Sequence, residues 1–77
     1  MTKTTAILFR VHKAHDDLPA MYQANFCEET FDGSEYTRRK FTVKSQSLQT
    51  LFHVARKFDA EVWYHYFDGT EECIVKK

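Results

Sequence analysis

Glycine is nearly missing from this chain of 77 residues, which holds only Gly33 and Gly69. A phosphate-cradling loop needs several glycines close together, so that class of nucleotide site is excluded. Proline occurs once, at Pro19, and cysteine twice, at Cys27 and Cys73, too few for a disulfide framework. The longest apolar run is Ala6-Ile7-Leu8-Phe9, far short of the roughly 20 residues that a membrane-crossing helix requires. Charge of one sign is lacking too: eleven Lys and Arg balance eleven Asp and Glu, for a formal net charge of zero. That balance excludes both a whole-molecule basic field for nucleic acid and the acidic excess of a nucleic-acid mimic. No signal peptide is expected ahead of Thr2, and two lone cysteines suit a reducing compartment. The expectation is a cytoplasmic protein with free thiols and no membrane partner.

What the chain does have is aromatic residues, seven Phe, four Tyr and one Trp, with charged residues at an ordinary 29%. This is the composition of a globular chain, and the length suits one small domain over residues 1–77 with a single core. The pentapeptide Phe31-Asp32-Gly33-Ser34-Glu35 returns, with one conservative change, as Phe67-Asp68-Gly69-Thr70-Glu71. An Asp-Gly pair between strand-like runs is a strong hairpin signal, because a type I′ turn needs φ > 0 at both central residues.

The runs around these turns read as strands over 4–12, 21–29, 36–44, 61–67 and 70–76, dense in β-branched and aromatic residues. The polar stretch 13–20, with the proline, reads as a loop. Between strands three and four, Leu48, Leu51, Phe52, Ala55 and Phe58 recur at helical spacing. Ser45 or Ser47 precedes them as a cap, and Arg56 and Lys57 suit the negative end of the dipole. The expected fold is α+β: an antiparallel sheet of about five strands, in the order β-β-β-α-β-β, with the helix on one face.

Counting outward from two-residue Asp-Gly loops pairs Phe26 with Arg39 and Ala24 with Phe41 in the first hairpin. In the second it pairs Tyr64 with Cys73, His65 with Glu72 and Trp63 with Ile74. Tyr22, Ala24, Phe26, Phe41 and Val43 then share one face, the natural one to lie beneath the helix. Ile7, Phe9 and Val11 of strand one are expected to join them, leaving Leu8 outside. The opposite face would carry Trp63, Ile74 and Phe67, with His65 among its polar neighbours. An uncovered Trp beside an Ile on a small domain is typical of an interface.

Catalytic patterns are weak. His12, His15, Asp16 and Asp17 lie close in sequence but at a strand end and in a loop, not pre-aimed for a metal. Cys27 counts opposite Arg38, and His65 opposite Glu72, without a nucleophile beside a base. Glu28 and Glu29, like Glu71 and Glu72, are strand neighbours that point to opposite faces and cannot share a substrate. No cofactor or metal is expected, and no enzyme activity. The function expected is protein binding through an open sheet face or an edge strand, centred on Trp63, Ile74, Phe67 and His65. The partner would be a second copy, in a homodimer, or a host complex blocked by a small phage- or mobile-element-type inhibitor. The alternative is a nucleic-acid-associated regulator using Tyr36, Arg38, Lys40 and Lys44 of the basic strand; the zero net charge weighs against it.

Overall fold

A computed structural model describes all residues, Met1–Lys77. The elements run β1 (Thr2–His12), β2 (Met21–Asp32), β3 (Glu35–Ser45), α1 (Leu48–Lys57), β4 (Glu61–His65) and β5 (Glu71–Val75). All five strands join in one sheet, ordered β3-β2-β1-β4-β5. The fold is α+β as expected, but the sheet is mixed. β1 pairs antiparallel with β2 and parallel with β4, with Ala6 beside Val62 and Ile7 beside Trp63. The parallel pair follows from α1. A chain leaving β3 through a helix crosses the sheet and re-enters in the same direction, and it lands beyond β2 on the free edge of β1.

The first turn is tighter than a centred Asp-Gly loop. Asp32 pairs with Glu35, so the loop is Gly33-Ser34, and of these only Gly33 has positive φ, at 63°. That is the pattern of a type II′ turn, with glycine in the first central position, rather than type I′. Each partner therefore slides by two residues. Phe26 faces Phe41, Ala24 faces Val43 and Cys27 faces Lys40, not Arg38. A slip of two preserves the side-chain alternation, so the expected face stands.

The second turn has three loop residues, Phe67 to Gly69. Gly69 N–H donates to Tyr66 O at 3.1 Å, and Tyr66 N–H donates to Thr70 O at 2.9 Å. Gly69 sits at φ 89°, and the Asp68 carboxylate accepts from Thr70 N–H at 2.9 Å and Thr70 Oγ1 at 2.6 Å. Those two bonds hold the Asp68 carboxyl below its ordinary pKa. An odd-numbered loop shifts the register by one and turns β5 over. Trp63 opposes Cys73, Tyr64 opposes Glu72 and His65 opposes Glu71. A register irregularity between Val62 and Trp63 returns Val62 to Val75, the pair the sequence anticipates, with Ile74 as the extra residue.

The core lies between α1 and one sheet face: Ala6, Leu8, Ala24, Phe26, Leu51, Ala55, Ala60 and Val62. Tyr22, Phe41, Val43, Leu48, Phe52, Val54 and Tyr64 pack around it. Four of the eight core residues are alanines, the size that lets a helix approach a sheet closely. This reverses the expected phase of β1. Thr4, Ala6 and Leu8 are buried, whereas Ile7 and Phe9 are half-buried and Val11 is exposed. In the helical stripe Leu51 and Ala55 are buried. Phe58 is the C-cap, its ring 5.2 Å from Phe41 and 5.8 Å from Phe26. Asp59 follows in the left-handed region at φ 51°. Its N–H reaches Arg56 O, and Ala60 N–H reaches Ala55 O, each at 3.0 Å. This pair of bonds is a Schellman stop.

Candidate functional site

The face of the sheet away from α1 is built by alternation from the buried residues. Ala6 and Val62 are adjacent and buried under the helix, so their successors Ile7 and Trp63 emerge together on the other side. The register then lays out cross-strand rows. One runs Thr42, Asn25, Ile7, Trp63, Cys73, and the next runs Lys44, Gln23, Phe9, His65, Glu71. On the other flank Lys40, Cys27, Thr5 and Glu61 form a third. Ile7, Phe9, Trp63 and Cys73 are half-buried by their neighbours alone, and the single helix lies on the opposite face. The loop from Lys13 to Pro19 does not tuck beneath them. Its residues are exposed, and His15 and Leu18 bond each other's backbone.

Trp63 is held in place. Its Nε1–H donates to Glu61 Oε1 at 2.8 Å, and the Lys77 backbone N–H reaches the other oxygen at 3.3 Å. These bonds hold the Glu61 carboxyl below its ordinary pKa, the Trp63 bond being the larger cause. His65 Nε2 lies 3.2 Å from Glu71 Oε2 across the ladder. The Glu72 expected there instead accepts from Tyr66 O–H at 2.6 Å on the helix side, which pushes the Tyr66 phenol up.

Of the four binding residues read from the sequence, Trp63 and His65 lie on this face. Ile74 does not stay beside Trp63: as the extra residue of the irregular β4–β5 pairing, it lines a groove with Val75, Phe52 and His53 of α1. Phe67 leaves the face as well. It sits in the β4–β5 loop, 68% exposed, with the Arg10 guanidinium 4.8 Å from its ring centroid. Ile7, Phe9 and Cys73 take their places. The Ile7 and Phe9 placement was hidden by the phase of β1, and Cys73 by the three-residue loop.

The alternative residues Tyr36, Arg38, Lys40 and Lys44 alternate along β3, an edge strand, and all face the helix-free side. Tyr36 O–H donates to Glu29, its diagonal neighbour. Hydrogen bonding with Tyr36 pushes the Arg38 guanidinium further up. Arg39 turns to the helix side and lies 3.6 Å from Glu28. Neither cysteine is bonded, and no three His, Cys, Asp or Glu side chains gather where a metal could bind. His15 meets only Asp16, at 3.2 Å. No helix is long and apolar enough to cross a membrane.

The architecture is thus a five-stranded mixed sheet with one helix and one uncovered face bearing a central apolar row. Comparison with protein-family models, curated proteins and solved structures finds no match.

Proposed function

We propose that this chain is a non-enzymatic protein-binding module acting through the helix-free face of its sheet. The observation that carries the reading is the row Ile7–Trp63–Cys73 with Phe9 beside it, apolar side chains in register on a face no element covers. A rigid tryptophan flanked by aliphatic and aromatic neighbours and rimmed by charge has the anatomy of an interface centre. The edges suit docking less. β3 carries Arg38, Arg39, Lys40 and Lys44, and β5 spans five residues with Glu71 and Glu72, both devices that discourage strand addition. A small factor occluding a site on a larger complex, of the kind phages and mobile elements use, fits a binding face on a domain this size.

The alternation of Tyr36, Arg38, Lys40 and Lys44 on one side of β3 favours a second reading, single-stranded nucleic acid along that edge. One experiment separates the two. Wild type, Trp63→Ser and the pair Lys40→Glu with Lys44→Glu are used to capture partners from native extract at two salt concentrations. Protein partners lost with Trp63→Ser support the face. Salt-sensitive nucleic acid lost only with the charge variants would replace it by the basic edge.

A further inference from the structure

We infer that the occupant of this face is a second copy of the chain, docked sheet to sheet about a two-fold axis parallel to the strands. The inference rests on the binding-face reading and adds the partner and its orientation. It comes from the distribution of charge across the sheet. On the helix-free side, edge strand β3 presents Arg38, Lys40 and Lys44, while the opposite half presents Glu61 on β4 and Glu71 on β5. Lys3 and Lys76 lie near Glu61 and moderate its charge, and Glu29 of β2 is taken by Tyr36. Glu71, paired only with His65, is the clearest acid on that side. The central strand of the five is β1, which brings Ile7 and Phe9 to the middle of the face.

Two in-plane two-fold axes can bring such a face onto itself. An axis across the strands sets β3 on β3 and like charges together. An axis along the strands exchanges the two halves. It sets β3 over the partner copy's β5, Lys44 over Glu71, Thr42 over Cys73, and lays β1 on β1 so that Ile7 and Phe9 meet their own images. The two Lys44–Glu71 pairs then flank an apolar centre, and every contact is made twice, as an isologous interface requires. Size is compatible. Five strands about 4.8 Å apart over the five-residue depth of β4 and β5 give roughly 24 by 17 Å, or about 400 Å² in projection. The longer β1 and side-chain relief raise this toward the about 800 Å² that each partner buries in an ordinary specific interface. The strand-parallel axis leaves both β2–β3 tips, with exposed Phe31 and Tyr36, at the same end of the dimer.

Cross-linking tests the orientation. In a Cys27→Ser background, Thr42→Cys places a thiol at the opposite edge of the sheet from Cys73. Four strand spacings, about 19 Å, separate them within one chain, whereas facing sheets lie about 10 Å apart. A short bismaleimide should therefore yield a covalent dimer whose linked peptides are residue 42 to Cys73. In sedimentation equilibrium the unmodified chain should be dimeric, Lys44→Glu and Glu71→Lys should each weaken the dimer about tenfold, and their combination should recover most of that loss. Links of residue 42 to 42 or of Cys73 to Cys73, or single charge variants without effect, would overturn the proposed axis. A monomer at the highest concentrations would overturn the second copy as occupant. If that monomer still binds another protein and loses it with Trp63→Ser, the face remains the binding surface and only the self-association falls. A dimer unaffected by Trp63→Ser and Ile7→Asp would contradict both.

Discussion

Phe26 and Phe41 stack across β2 and β3, their ring centroids 4.8 Å apart and their planes within 3° of parallel. The stack exists because Gly33-Ser34, not Asp32-Gly33, is the turn, which brings residue 26 opposite residue 41. Phe26 is 2% exposed and sits between the sheet and Phe58, so Phe26→Ala should cost about 3–5 kcal/mol in urea unfolding. Phe41→Ala, at a half-buried position, should cost distinctly less. Equal losses would show that the pair is not anchored through Phe26.

The two glycines lead to a second prediction. A Cβ added at Gly33 or Gly69 would meet nothing within 4 Å, so any cost must come from the backbone, at φ 63° and 89°. Gly33→Val and Gly69→Val should each lose about 1 kcal/mol or more, since a β-branched residue resists positive φ. Melting temperatures unmoved by both valines would contradict the turn geometry.

On the helix, Leu51 is fully buried and His53 is exposed. Leu51→Ala should destabilise by about 2–5 kcal/mol and His53→Ala by no more than about 0.5 kcal/mol. Phe52, half-buried beside the groove with Ile74, should fall between them. If His53→Ala proved as damaging as Leu51→Ala, α1 would be rotated from the orientation described.

How much of this was legible in the sequence differs by element, for physical reasons. The faces of β2 and β3 were readable because hairpin partners are local and a slip of two leaves alternation intact. The helix was readable from its periodic stripe. β1 was not, because a central strand is apolar on both sides and its largest residues, Ile7 and Phe9, lie away from a helix that needs Ala6 beneath it. The parallel pairing of β1 with β4 was equally hidden, since it joins segments more than fifty residues apart and no local turn encodes it. Of the candidate site, Trp63 and His65 were found through their phase in β4. Ile74 was misplaced because one additional loop residue inverts β5 until the register irregularity corrects it.

Acid should expose the tie between Glu61 and Trp63. The folded carboxyl is held below its unfolded value, so its contribution is complete above the unfolded pKa and disappears as pH falls through the folded one. Glu61→Gln should therefore unfold at a lower urea midpoint than wild type near neutral pH, and the gap should close as the pH drops through the carboxylate range. A gap that stays constant with pH would mean that ionisation of Glu61 contributes nothing.

The central claim is that Trp63 belongs to an interface and not to the core, and one variant tests it most directly. Trp63→Ser should keep the circular dichroism and cooperative melting of the folded sheet, because the core beneath α1 does not include it. Association through the face, measured by sedimentation on the same sample, should weaken by about 2 kcal/mol or more, the scale of a lost interface anchor. A Trp63→Ser protein that is unfolded, or destabilised by roughly 3 kcal/mol as core aromatic truncations are, would place Trp63 inside the domain and contradict the account.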